Sequence, residues 1–242
     1  MVFRMLSLVC GAALLCAACM ADANENAVRK AFAAKFPDMP VQSVTRLPYL
    51  GLYEIVVGED GDILYADEKV EYLVDGNIIS TAKMSNLTSE RKRKLSSVPF
   101  DDLPLDLAFK RVKGKGERKM AVFSDPDCPW CRKLEGELAK LDNVTIYMFL
   151  YPIESLHPGA PEISKKIWCS PDRLKAWDDY MNRKVVPMAD ANCPNPVDKL
   201  VDYGRKKRVN GTPALVFANG ERVGGYIPAA EIEKRLSGRK ED

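Results

Sequence analysis

The chain has 242 residues, 46% of them hydrophobic and 29% charged, which is enough apolar material for a core and excludes a wholly disordered protein. Its 36 basic and 34 acidic residues leave a formal charge of +2. With no basic stripe interleaved with aromatics, nothing points to nucleic acid. The single histidine, His157, rules out mechanisms that need two, including HExxH zinc hydrolases.

Residues 1–23 read as a secretory signal. Arg4 supplies the early charge, and the apolar run from Leu6 to Cys19 is shorter than the roughly 20 residues a membrane span needs. Ala21-Asp22-Ala23 offers a cleavage site. One alternative is a buried N-terminal helix. Another is a lipoprotein signal that acylates Cys19, although Cys16 stands where such signals usually carry Leu. Either signal takes the protein out of the cytoplasm. Cleavage after Ala23 removes Cys10, Cys16 and Cys19 and leaves Cys128, Cys131, Cys169 and Cys193. Four cysteines in an exported chain read as two pairs with three possible connectivities. Because Cys128 and Cys131 are so close, the natural split is 128–131 and 169–193.

Apolar positions 28, 31, 32 and 36 form a helical stripe over 25–36, ended by Pro37. Strand-like runs follow at Val41–Leu47, Leu52–Val57, Ile63–Ala66, Val70–Val74 and Ile78–Ala82. Gly51, Glu59-Asp60-Gly61 and Asp75-Gly76-Asn77 separate them, and the Asp-Gly pairs are hairpin signals. Residues 24–85 are therefore expected to form a small α+β unit, marginal alone and stabilised by pairing with a copy of itself. The charged stretch Ser85–Ser97 reads as a solvated helix rather than a nucleic-acid patch. It is stopped by Pro99 and Pro104, which makes 86–105 a linker.

From 106 to the end at 242 the pattern changes to α/β. Leu107–Val112 and Lys119–Ser124 look like two strands around Lys113-Gly114-Lys115-Gly116. A helix follows over Arg132–Leu141, and Val144–Tyr151 is a buried strand. A helical insert runs from about Glu162 to Arg183, and strands begin at Gly211 and after Asn219-Gly220. The last element is a helix over Ala229–Leu236.

Cys128-Pro129-Trp130-Cys131 falls at the seam between strand and helix. Pro129 suits the first helical position, where its missing N–H costs nothing. Cys128 then sits at the helix start, where free N–H groups and the dipole favour a thiolate. Cys131, one turn on, faces back toward it, so Cys128 is the expected attacker of a substrate disulfide and Cys131 the resolving thiol. A zinc site would need two close ligand pairs, and Cys169 and Cys193 stand apart, so no metal is expected. Cys169–Cys193 reads as a structural staple of the helical insert, with a redox role as the alternative. His157 reads as a surface loop residue. Asp125 reads as a turn former in Asp-Pro-Asp, with proton acceptor near the thiols as the alternative. Thr212-Pro213 precedes a strand; a cis bond there would present the Thr212 backbone to an extended substrate, while an ordinary trans turn is the plainer option.

Phe123-Ser-Asp-Pro-Asp-Cys-Pro-Trp-Cys131 followed by Gly211-Thr-Pro-Ala-Leu-Val216 resembles the thioredoxin superfamily. Lys166-Ile-Trp-Cys169, Ala176-Trp-Asp-Asp179 and Cys193, with the small N-terminal unit, are similar to its DsbC/DsbG branch of periplasmic disulfide isomerases. The resemblance implies a thioredoxin fold with a helical insert behind an α+β dimerisation domain, in a V-shaped homodimer. It implies Cys128 as nucleophile and Cys131 as its partner, a substrate-binding surface at Pro129, Trp130, Thr212 and Pro213, and a structural Cys169–Cys193 disulfide. It also implies no cofactor beyond the dithiol, misfolded or mis-oxidised exported proteins as substrates, and the inner-membrane reductase DsbD as electron donor. Pro129-Trp130 departs from the Gly-Tyr that close members often carry. Pro at this place also occurs in DsbG and in oxidases of the DsbA type. The Cys169–Cys193 pair argues against DsbG and the N-terminal unit against DsbA. The expected activity is disulfide isomerisation. The alternatives are an oxidant, a reductase of single cysteines, or a holdase that works without redox chemistry.

Overall fold

A computed structural model describes residues 24–58 and 61–238. The expected signal segment, with Cys10, Cys16 and Cys19, lies outside the described residues. The chain divides into two compact units, one ending at Leu95 and the other beginning at Ser96.

In the first unit, helix α1 (24–35) packs its Val28 and Phe32 onto a four-stranded antiparallel sheet. The sheet runs in chain order, β1 (Val41–Arg46), β2 (Tyr53–Val57), β3 (Asp62–Ala66) and β4 (Leu73–Val74). β2 is buried at every position because β1 and β3 flank it and α1 covers it. The expected strand over Val70–Val74 shrinks to two residues. The Asp67 carboxylate accepts from the N–H groups of Lys69 and Tyr72, at 3.1 and 2.8 Å, and turns the chain, with Val70 at φ 54°. The run at Ile78–Ala82 likewise yields only β5 (Ile79–Ser80), paired with β6 (Ser85–Asn86). Helix α2 (Leu87–Ser96) begins within the stretch expected as linker. It is tied back to the sheet by Arg91 to Glu54 at 2.8 Å and by Thr88 to the Tyr65 hydroxyl at 2.6 Å.

The second unit is built on a five-stranded mixed sheet ordered β11-β10-β8-β9-β7. Its strands are β7 (Phe109–Lys113), β8 (Arg118–Ser124), β9 (Val144–Leu150), β10 (Ala214–Phe217) and β11 (Arg222–Gly224). The turn at 113–116 does not close a hairpin, because β9 lies between β7 and β8, antiparallel to the first and parallel to the second. Helix α3 (Pro129–Leu138) makes the crossover from β8 to β9, as a parallel pair requires. Helices α4 (Ala160–Cys169) and α5 (Arg173–Arg183) form the insert. Pro171 breaks it, and the Asp172 carboxylate restarts the helix by accepting from Lys175 N at 2.9 Å. Helix α6 (Val197–Lys206) was not anticipated from the sequence. Its Gly204 lies against Tyr151, where a Cβ would come within 2.2 Å of the ring. Helix α7 (Ala229–Leu236) closes the unit.

One face of the sheet carries Met120, Val122, Ile146 and Met148 against Leu134 and Leu138 of α3 and Trp177 of α5. The other carries Ala121, Phe123 and Phe149 against Leu200 of α6, together with Val98, Phe100 and Leu103. The segment just after α2 is thus core material of the second unit.

Candidate active site

The central strand β8 ends at Ser124, and α3 begins five residues later at Pro129. The intervening Asp125-Pro126-Asp127 is a tight turn. Its Asp125 Oδ1 accepts from Asp127 N at 2.8 Å, and Cys128 N donates to Asp125 O at 3.2 Å. The Asp125 carboxylate is fully buried. Its Oδ2 holds the following loop as well, accepting from Ile153 N at 2.7 Å and meeting His157 Nδ1 at 2.9 Å. Asp125 is therefore a loop clasp, and His157 is one of its partners rather than a bystander on a surface loop. Sequence reasoning missed this pairing; the residues stand 32 positions apart. Asp127 is fixed in turn by the Tyr180 hydroxyl at 2.6 Å and Lys184 at 3.0 Å. The approach to α3 is thereby pinned to the helical insert.

Cys128 is the N-cap residue of α3, with Pro129 in the first turn. Both Cys128 and Cys131 are free thiols, with 4% and 0% of their surface exposed. The Cys128 thiol is held down from the ordinary 9.0 to about 5. The main cause is a hydrogen bond from the Cys131 thiol, which outweighs burial and is helped by the backbone N–H groups of Cys131 and Trp130. Cys131 is pushed strongly upward, first by burial and then by its bond to Cys128. The two thiols act as one coupled pair in which the outer sulfur takes the charge and the inner one keeps its proton.

Thr212 and Pro213 arrive from the loop before β10 and are joined by a cis peptide bond. The Thr212 carbonyl accepts from the Cys128 S–H at 3.3 Å. Trp130 stands 56% exposed beside the sulfurs. The fold thus gathers Cys128, Pro129, Trp130, Cys131, Thr212 and Pro213, positions 84 residues apart in the case of Cys128 and Thr212. Cys169 and Cys193 lie apart from that group, in a disulfide with Cα atoms 5.9 Å from each other. It joins the end of α4 to the irregular segment before α6. Among the described residues no cluster of His, Cys, Asp or Glu could hold a metal ion, and no helix is long and apolar enough to cross a membrane.

A buried thiol opposed to a stabilised thiolate at a helix start, on a thioredoxin-like sheet, defines a thiol–disulfide oxidoreductase. The profile of the thioredoxin-like domain matches residues 105–239, and that of the disulfide bond isomerase protein N-terminal domain matches 19–89. The chain is 46% identical over 215 residues to the "Probable thiol:disulfide interchange protein DsbC" of Bordetella pertussis, covering 89% of this chain and 75% of that one. It is 26% identical to thiol:disulfide interchange protein DsbC of Escherichia coli, over 89% of each chain. The crystal structure of a disulfide interchange protein from Neisseria gonorrhoeae superposes with a TM-score of 0.54 at 44% identity, covering 58% of this chain and all of that one. The chain belongs to the DsbC family of disulfide isomerases.

Proposed function

We propose that this protein rearranges wrong disulfides in exported proteins, with Cys128 as nucleophile and Cys131 as resolving thiol. The Cys128 thiolate attacks one sulfur of a substrate disulfide and expels the other as a thiolate, leaving a mixed disulfide. A second substrate thiolate then displaces Cys128, which completes an isomerisation and returns the enzyme reduced. Alternatively Cys131, after losing its proton, attacks Cys128 Sγ; the substrate leaves reduced and the enzyme oxidised. The observation that carries this reading is the opposed pair, Cys128 near 5 and Cys131 far above its ordinary value. At neutral pH the attacker is charged while the resolver is held in reserve, which gives the mixed disulfide time to rearrange. Pro129, Trp130, Thr212 and Pro213 line the approach to Cys128 and are proposed to hold the substrate strand.

The N-terminal unit is proposed to make a homodimer. Tyr72, Leu73 and Val74 are exposed at the open edge strand β4, and an apolar open edge is a template for pairing with a second copy. Export to the periplasm by the segment 1–23, lipid attachment at Cys19 as the alternative destination, and recharging by the inner-membrane reductase DsbD belong to the same proposal.

The test is reactivation of a scrambled multi-disulfide protein in a glutathione buffer. The reduced full-length protein is expected to restore activity, and Cys128→Ser to restore none. Reactivation surviving in Cys128→Ser refutes the assignment and favours a holdase. One observation supports a second reading, that of an oxidant: a thiolate stabilised to this degree makes the reduced form favourable and the disulfide form oxidising. Oxidation of reduced thiols without reshuffling of scrambled ones would select it.

A further inference from the structure

Trp130 and Lys133 lie three residues apart on α3 and so share a face. Tyr226, in the loop between β11 and α7, comes up beside them, its ring 6.1 Å from that of Trp130 and tilted by 42°. The Lys133 ammonium sits over both rings, 4.5 Å from the Tyr226 centroid and 5.3 Å from that of Trp130. Tyr226 is held there because its hydroxyl donates to Glu137 at 3.2 Å, while Ala229 N bonds the other oxygen of the same carboxylate at 2.9 Å. Glu137, one turn beyond Lys133, would be its natural intrahelical partner, but Lys140 takes it at 2.8 Å. Among the described residues Lys133 forms no ion pair. A cation is thus fixed by two aromatic faces, exposed, and without a carboxylate, on the second turn of the helix that Cys128 caps.

We propose that Trp130, Lys133 and Tyr226 form a subsite for a carboxylate-bearing segment of the substrate, an Asp or Glu flanking the attacked cysteine. The rings cover one side of the ammonium and leave its remaining N–H donors for the incoming acid. Apolar stems of the flanking residues rest on the exposed indole. The inference deepens the proposed thiol exchange at Cys128 and depends on it.

The experiment uses the reduced full-length protein and three short peptides. Each has one cysteine in disulfide linkage to a chromogenic thiol, with Glu, Lys or Gln on both sides of the cysteine. Attack by the Cys128 thiolate on the peptide sulfur makes the mixed disulfide and expels the coloured thiolate, whose release gives the rate. The Glu-to-Lys rate ratio is compared between wild type, Lys133→Gln and Lys133→Glu. An exposed ion pair is worth up to about fivefold in an equilibrium; reversing the charge loses one pair with the Glu peptide and gains one with the Lys peptide, so the ratio should fall by up to about 25-fold, with Lys133→Gln between. Taking a ratio within each variant cancels any change in Cys128 acidity. At about 1 M salt, where the screening length is about 3 Å, the ratios should converge. A ratio that is the same in wild type and Lys133→Glu, or one that survives salt, overturns the subsite. Failure of wild type to consume the Gln peptide faster than Cys128→Ser overturns the thiol exchange itself and the subsite with it.

Discussion

Two identical thiols three positions apart end up with opposite acid–base behaviour, because a hydrogen bond from Cys131 holds the Cys128 charge while burial penalises a charge on Cys131. Cys128 caps the helix, where its sulfur receives the Cys131 S–H and nearby backbone N–H groups. Cys131 lies one turn in, wholly buried, so its own charge is penalised. The low value of Cys128 has a consequence for the reduced protein's stability. Below about 5 the folded and unfolded chains both hold the proton and the contribution is absent. From there up to the ordinary thiol range near 8.5, the unfolded chain binds a proton that the native one lacks, so stability rises with pH. The stability difference between the reduced protein and Cys128→Ser should therefore widen as pH increases across that window. Urea titrations at several pH values check it, and thiolate absorbance should give a midpoint near 5; a flat difference would show that Cys128 is an ordinary thiol. Asp125 shows the complementary lesson. Its carboxylate is committed to Asp127 N, Ile153 N and His157, which supports the turn-former expectation over the proton acceptor.

At the scale of elements, α3 is anchored from below by a charge cluster built on a buried pair. Arg111 of β7 bonds Glu135 of α3 at 2.6 Å and also reaches Asp178 of α5. Trp177 of α5 donates its indole N–H to the other Glu135 oxygen at 3.0 Å. Burial disfavours the Arg111 charge, but Glu135 and Asp178 more than restore it. Breaking such a pair by removing one partner strands the other charge at a cost of about 3–5 kcal/mol, while replacing both with apolar groups is much milder. Arg111→Met should thus lower unfolding stability by about that much, and Arg111→Met with Glu135→Leu should recover most of it. Denaturant midpoints decide the matter, and equal losses in the two variants would mean that packing rather than charge holds α3. The Cys169–Cys193 disulfide fastens the same insert from its far side, linking α4 to the segment before α6. A loop of this size is worth about 3.5 kcal/mol in the chain-entropy account.

For the whole molecule, the two units pose different problems. The second buries a two-sided sheet and closes its faces with helices from one chain. The first is small and leaves Tyr72, Leu73 and Val74 in water at the open edge of its sheet. Tyr72→Asp with Leu73→Asp should shift a dimer to monomer in sedimentation and reduce reactivation of scrambled protein, while single-thiol exchange at Cys128 persists. If the double variant stays dimeric, pairing does not run through β4. Some of this was legible from residues alone. The helical stripe at Val28 and Phe32, the CxxC at a strand–helix seam and the buried run of β9 announce themselves locally. The two strands expected around 113–116 do form, but β9 inserts between them, a pairing that local turn chemistry cannot reveal. Helix α6 went unseen beside the proline-rich, irregular segment that precedes it. The short β4 reflects a side-chain clasp at Asp67 that competes with the ladder.

By itself the sequence carried the two-unit plan and the CxxC at a strand–helix seam, because periodicity, turn residues and a short motif act over a few positions, and the resemblance of its motifs carried the family. Only the tertiary structure decided how deeply each thiol is buried, what Asp125 and His157 do, and that Lys133 meets Tyr226 across the chain. Those depend on burial and on contacts between residues far apart in sequence, and burial is a property of the packed molecule rather than of any segment.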